Sequence, residues 1–376
     1  MDLALTEDQA MLKRTVADFM KREAPPTNIT GWLQGGVGYV PELFQTAADL
    51  GWLGMLVPEA YGGAGLGLSD CAVIFEELGR GPLPGPYFSS GVLGAAVIAE
   101  GGSDEQKQRW LPAICQGEEI ATLAINDRGY SWGPGSVEMT ATDRPEGLTL
   151  NGTKMFVHDA AAATVLICAV RHGDGISLAL VDMNQPGVSV TPYKGLASPS
   201  LGEVRLDEVH VPRSAILGEP GQGWAALERA LIQAIPILCA YQVGGCQEVL
   251  DFTVEYTRSR VVFGQPIGRF QRVQDHVVDL VNHLDSARWI TNETIWKLDT
   301  GNEAISSVHE AKAVASDGYY HACNYAHMVF AGPGTDYSHP LVAHMIQSRS
   351  LYQYLGNPLY HKRMMMDYLF PRALRS

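Results

Sequence analysis

The sequence predicts an α+β multi-domain protein with a helical region, then a β-domain, then a helical bundle. Three observations predict it. Apolar residues recur at helical spacing over residues 1–118. The hydrophobic period falls to two over 119–220. Helical spacing then returns over 221–376, in segments long enough to pack side by side.

In the first region Thr6-Glu7-Asp8-Gln9 reads as a capping box, with Thr6 closing a helix N-terminus and Gln9 reaching back. Leu12, Val16, Phe19 and Met20 then share one face, and Pro25-Pro26 stops the helix. Val40, Leu43, Phe44 and Ala47 suggest a second helix. Ser69 is placed to cap a third, through Ile74, Phe75 and Leu78. Ser103-Asp104-Glu105-Gln106 is a further capping box, leading to Trp110, Leu111 and Ile114.

In the second region Leu148 to Leu150, Asn151-Gly152 and Thr153 to Val157 read as a hairpin, since Asn-Gly accepts the positive φ of a tight turn. Val165–Val170 and Ile176–Val181 are apolar strands joined at Gly173-Asp174-Gly175, and Val204, Leu206, Val209 and Val211 end the region.

After Gly221-Gln222-Gly223 one helix is expected from Trp224 to Arg260, kinked at Pro236. A second carries Val273, Val277, Leu280, Val281 and Leu284 on one face. A third covers about Ala304 to Phe330, and a fourth runs from about His339 towards the C-terminus with a break at Pro358. Four long helices in sequence read as an up-and-down bundle.

Composition excludes several functions. The 376 residues are 46% hydrophobic and 18% charged, which rules out a long disordered chain. The net charge of −14 argues against nucleic acid and against an electrostatic membrane anchor. The six cysteines, Cys71, Cys115, Cys168, Cys239, Cys246 and Cys323, form no Cys-x-x-Cys pair and read as buried reduced thiols, as expected in the cytoplasm. The acidic start Met1-Asp2-Leu3-Ala4-Leu5-Thr6-Glu7-Asp8 has no signal-peptide pattern. The longest apolar runs fall short of the roughly 18 residues that a membrane span needs.

Most motif candidates have plain readings. Gly62-Gly63-Ala64-Gly65-Leu66-Gly67 does not fit a dinucleotide loop and reads as a flexible turn. His321, Cys323 and His327 lack further ligands nearby and read as packed helix residues, so no metal is expected. Two segments remain. In Arg260-Val261-Val262-Phe263-Gly264, with Gln271 following, Gly264 can end the long helix in a left-handed conformation. Arg260 would then sit in the last turn, able to fork onto a pyrophosphate while Phe263 packs on a ring; an ordinary helix end is the alternative. Ala331-Gly332-Pro333-Gly334 lets a ligand approach the backbone at Gly332 and Gly334, or is an interhelical turn.

Together these segments resemble the acyl-CoA dehydrogenase family over nearly the whole chain. Pro58-Glu59-Ala60-Tyr61-Gly62-Gly63 matches its Pro-Glu-x-x-Gly-Gly, Gly102-Ser103-Asp104-Glu105-Gln106-Lys107 its Gly-Ser-x-Glu-Gln-Lys, and Asn151-Gly152-Thr153-Lys154 its middle domain. Arg260-x-x-Phe263-Gly264 with Gln271 is the most specific match. The resemblance implies an N-terminal helical domain, a middle β-barrel domain and a C-terminal four-helix bundle, assembled as a tetramer around FAD. It implies α,β-dehydrogenation of an acyl-CoA: a carboxylate removes the α proton, the β hydride goes to flavin N5, and an electron-transferring flavoprotein takes the electrons onward. It also implies cofactor contacts from Arg260, Phe263, Gln271, Gly332 and Gly334.

The chain departs from the family where the chemistry sits. Leu355, in Tyr354-Leu355-Gly356-Asn357, stands at one usual place of the catalytic Glu; Ala234 stands at the other, beside Ile235 where an arginine is common. The ring-contact stretches are replaced around Asn126-Asp127-Arg128 and by Phe156-Val157-His158, Pro333 contributes no N–H, and Met328 stands where a glutamine is common. In the family each FAD lies across a subunit boundary. The resemblance therefore implies a chain without catalytic residues of its own, supplying ADP-side FAD contacts to a homologous catalytic subunit of an α2β2 enzyme of fatty acid or steroid catabolism, with acyl-CoA in the partner's site. The alternatives are a self-sufficient flavin dehydrogenase with a relocated base (Glu228 or Glu248), a flavin oxidase or monooxygenase, and a cofactor-free structural homologue.

Overall fold

The computed structural model of the chain describes residues 4–129, 131–194 and 199–370. Met1, Asp2 and Leu3 of the acidic start, and the final six residues, lie outside that description.

The capping boxes form as written. The Thr6 hydroxyl accepts the Gln9 amide at 3.2 Å and the Gln9 side chain accepts the Thr6 amide at 3.1 Å, starting α1 (Glu7–Glu23). Pro25-Pro26 ends α1, yet Pro26 also opens α2 (Pro26–Gln34), which was not foreseen; a proline at the first helical position loses no intrahelical bond. Then come α3 (Pro41–Asp49) and α4 (Leu68–Arg80). Ser69 does not cap α4. It lies inside the first turn, and the Asp299 carboxylate accepts the Leu68 and Ser69 amides at 2.9 Å each, an anion at the positive end of a helix. The glycine run is not a flexible turn either: the amides of Ala64, Gly65 and Leu66 bond to the carbonyls of Gly54, Val57 and Met55 at 2.8–2.9 Å. A π-helical turn (Ser89–Gly94) leads into α5 (Ala95–Gly101), and Ser103 with Gln106 boxes α6 (Asp104–Cys115).

The β region holds β1 (Ala121–Ala124), β2 (Ala141–Arg144), β3 (Gly147–His158), β4 (Val165–His172), β5 (Gly175–Asp182), β6 (Val188–Pro192), β7 (Leu201–Pro212) and β8 (Ile216–Leu217). They make two four-stranded sheets, β1-β4-β5-β8 and β2-β3-β7-β6, in which only the β1–β4 pair is parallel among the described residues. The expected barrel is not closed: both sheets keep free edges. Their shared core includes Leu148, Leu150, Leu166, Val170, Val181, Val204, Val209 and Val211. Asn151-Gly152 is not a hairpin turn. β3 runs straight through it with a register shift against β7 between Leu150 and Gly152, so the extra backbone freedom makes a bulge. The tight turn lies earlier, where Arg144 pairs with Gly147.

α7 (Gly223–Ser259) contains Pro236 and ends one residue before Arg260. A short β9 (Val261–Val262) and β10 (Gln265–Pro266) follow, then α8 (Gln271–Asp299) and α9 (Ile305–Phe330). The expected fourth helix is two, α10 (Pro340–Gln353) and α11 (Pro358–Leu369), with Pro358 opening the second. Among the described helices only α7 is long and apolar enough to cross a membrane, and most of that stretch is buried inside the protein.

Packing groups the chain into two compact units, residues 4–36, 68–83 and 235–370 in one, and 37–67 and 84–234 in the other. In the first, α4 and α7 touch backbone to backbone. A Cβ on Gly79 or Gly244 would overlap the carbonyl of Tyr241 or Glu76, so both positions exclude any larger residue.

Candidate cofactor site

Arg260, Phe263, Gln271, Gly332 and Gly334 all belong to the first unit. Phe263 and Gly264 form the two-residue turn between β9 and β10, with φ of 52° and 77°. Gly264 is therefore the second residue of a hairpin turn and not the stop of α7, a correction to the sequence reading; two consecutive positive φ values are the mark of a type I′ turn. The turn drives Phe263 outward, where it is 92% exposed, with one edge-on ring neighbour, Phe270, at 6.3 Å.

Arg260 is held by its backbone and free at its tip. Its amide donates to Tyr256 O and its carbonyl accepts the Ile267 amide, both at 2.9 Å. Its guanidinium is exposed and has no hydrogen-bond or ion-pair partner among the described residues. Gln271 opens α8, also exposed and unpartnered at its side chain.

Aromatic stacking brings the second segment to the same end of the helices. Tyr256, one turn before Arg260, stacks on Phe330 at 4.3 Å, and Phe330 meets His339 at 4.6 Å. Gly332–Thr335 then forms one 3-10 turn. A Cβ on Gly332 would meet nothing within 4 Å, whereas one on Gly334 would come within 2.8 Å of the Phe330 Cβ. Gly332 thus leaves room for an approaching ligand, and Gly334 is required by packing. Free guanidinium donors, an exposed ring and an open glycine backbone fit the anionic, aromatic end of a nucleotide.

The two positions that the sequence resemblance marks as usual places of the acid are closed. Ala234, Ile235 and Leu355 are buried. Leu355 sits at φ 59° in the loop between α10 and α11, and that loop is clamped from behind. The fully buried Lys312 donates to Ser316 Oγ (2.7 Å), Leu351 O (3.1 Å) and Gly356 O (3.2 Å). His361 Nε2 bonds to Leu355 O at 3.0 Å, and His361 Nδ1 lies 2.9 Å from His309 Nδ1. Burial pushes the Lys312 ammonium down to about 8 and His309 to about 4. This cluster was missed in the sequence, because a lysine on a helix reads as a solvated one.

Neither alternative base is free. Glu248 pairs with Arg80 at 2.8 Å, and Arg80 also holds Asp251 at 2.7 Å. Glu228 accepts the Trp224 indole N–H at 2.7 Å. His321 stacks on His283 at 5.1 Å, Cys323 is buried, and no group of three His, Cys, Asp or Glu is placed to hold a metal among the described residues.

In the second unit, the segments expected at the ring-contact positions are held by hydrogen bonds and ring packing. Buried Lys154 bonds to Asp127 and to Ile125 O at 3.0 Å each, and Asp127 also accepts the Glu138 and Met139 amides. Phe156 lies in a second bulge of β3 with φ 53°, its ring 5.1 Å from that of Tyr193.

Comparison with known proteins matches this geometry to one family throughout. Family models described as the acyl-CoA dehydrogenase N-terminal, middle and C-terminal domains match residues 6–118, 123–209 and 221–369. The chain is 30% identical to "Probable acyl-CoA dehydrogenase YngJ" of Bacillus subtilis, over 89% of this chain and 90% of that one. Among solved structures, the FAD complex of PigA shares 26% identity with a TM-score of 0.89, covering 100% of both chains. The ChsE4-ChsE5 complex from Mycobacterium tuberculosis shares 25% with a TM-score of 0.87, over 98% of this chain and 99% of that one.

Proposed function

The chain belongs to the acyl-CoA dehydrogenase family, and on that premise we propose that it is the base-less subunit of an FAD-dependent acyl-CoA dehydrogenase. It grips the ADP half of a flavin whose ring, acyl-CoA and proton-abstracting carboxylate belong to a homologous catalytic chain. The observation that carries this reading is a buried leucine at the expected base position together with an arginine at the expected nucleotide position that has no side-chain partner among the described residues.

Bound FAD supplies the hydride acceptor for α,β-dehydrogenation of the thioester. This chain's own residues bind and orient. The Arg260 guanidinium offers forked donors to the pyrophosphate, Phe263 offers a ring face, Gln271 adds amide donors at the start of α8, and Gly332 lets the backbone come close. Leu355, Ala234 and Ile235 have no group that can take a proton, so none moves here. Glu248 lends no support to a relocated base, since its carboxylate is engaged by Arg80. An assembly of two chain types like the ChsE4-ChsE5 complex suits the division. Re-oxidation by an electron-transferring flavoprotein in the cytoplasm completes the reading; six unpaired buried thiols suit that compartment.

Co-expression with its partner tests the proposal. The complex is expected to hold one flavin per two chains and to turn over acyl-CoA, while the lone chain binds little flavin. Full flavin and dehydrogenase turnover in the lone chain would overturn it.

A further inference from the structure

The end of β3 is irregular backbone. Phe156 holds φ of 53°, a region that costs such a residue about 1 kcal/mol or more, and Asp159 follows at 55°, where aspartate is more readily accommodated. The segment is pinned on several sides. The Met155 amide donates to Asn126 O at 2.8 Å, and the Thr122 hydroxyl to His158 O at 2.6 Å.

Next to this lies a carboxyl group in the wrong surroundings for a charge. Asp159 is only 8% exposed. An aspartate that deep is normally paired, yet no cation reaches it among the described residues. The groups that face it are hydroxyls: Ser89, from the π-helical turn, donates to its Oδ2 at 2.5 Å, and Ser200, from the chain leading into β7, donates as well. Its neighbour along the chain, His158, is the nearest titratable residue in sequence.

We propose that Asp159 is a proton-operated clasp, fastening the end of β3 to the Ser89 turn when its carboxyl is neutral and loosening it when ionised. Two hydroxyl donors return only part of the hydration that a buried carboxylate loses. Burial accordingly pushes the Asp159 carboxyl up to about 6, from an ordinary 3.8. Between these values the folded chain holds a proton that the unfolded chain has released. The clasp is therefore fully closed below the ordinary value and weakens as pH rises through about 6. At neutral pH the fastening of the segment that carries Phe156 and His158 is therefore weakened. Bulges that re-aim side chains beside strained residues belong to controlled sites. The inference does not depend on the dehydrogenase reading.

Hydrogen exchange of the 155–163 amides in the full-length chain, alone and in its complex, tests it from pH 5 to pH 8 after correction for intrinsic exchange chemistry. The wild-type opening is expected to rise about tenfold across this range. Asp159→Asn, which removes the titration and keeps one carbonyl acceptor, is expected to stay flat near the low-pH level. Ser89→Ala is expected to raise opening already at pH 5. A flat wild-type profile, which requires no variant, would overturn the proposal. So would an Asp159→Asn chain that opens more than wild type at pH 8, or a Ser89→Ala chain that matches wild type at pH 5.

Discussion

Arg260 and Lys312 are cations of the same helical unit, and the fold treats them in opposite ways. Around the 261–266 hairpin the Arg260 guanidinium has no partner among the described residues and the Phe263 ring is in solvent. The end of α10 and the 354–357 loop are complete: every N–H of the Lys312 ammonium has an oxygen, and a histidine holds the Leu355 carbonyl. A group left open adds little to the stability of its own chain and is available to something else. A group enclosed and satisfied holds its own chain together. The exposed Arg260 belongs to the first kind and the loop around Leu355 to the second.

That contrast can be broken or sharpened by substitution. The largest effect is expected at Lys312→Met, which orphans the Leu351 and Gly356 carbonyls and should cost about 3 kcal/mol in urea unfolding. A cost below about 1 kcal/mol would show that the clamp holds nothing. The same residue has a pH signature. Its ammonium lies near 8 in the folded chain against 10.5 ordinarily, so between these values the unfolded chain binds a proton that the folded chain does not. Stability is expected to gain from this group as pH rises through that window, and Lys312→Met should remove the gain.

Arg260→Ala should do the reverse. Loss of a charge-assisted fork costs about 2 kcal/mol of flavin binding in the complex, or roughly 30-fold, while unfolding of the chain shifts by less than about 0.5 kcal/mol. Equal losses in both measurements would erase the distinction. A smaller test splits the two glycines of the 332–335 turn. Gly334→Ala should cost about 1–2 kcal/mol of stability by crowding Phe330, whereas Gly332→Ala should leave unfolding unchanged and lower only flavin retention.

Much of the helical order was legible. Thr6 with Gln9 and Ser103 with Gln106 are self-contained signals, each closing within one turn. Readings failed where the deciding partner was distant. Ser69 looked like a cap until Asp299, 230 residues away, took both amides. Asn151-Gly152 offers the same backbone freedom to a turn and to a bulge, and pairing with β7 decides between them. Gly264 accepts positive φ in a helix stop and in a hairpin alike. Arg260 and Phe263 are singled out through the family resemblance, since their spacing alone also suits an ordinary helix end, and the structure places both at the surface. Lys312 could not be read, because nothing local distinguishes a lysine that will be enclosed by carbonyls of residues 39 and 44 positions later.

The helices α1, α2 and α4 share a core with the segment that begins at Ile235. During synthesis on a ribosome, those apolar faces emerge first and must wait while some 150 intervening residues are made, several seconds at ordinary elongation rates. The order of synthesis therefore leaves the apolar faces of α1 and α4 uncovered until the segment from Ile235 onward has been made.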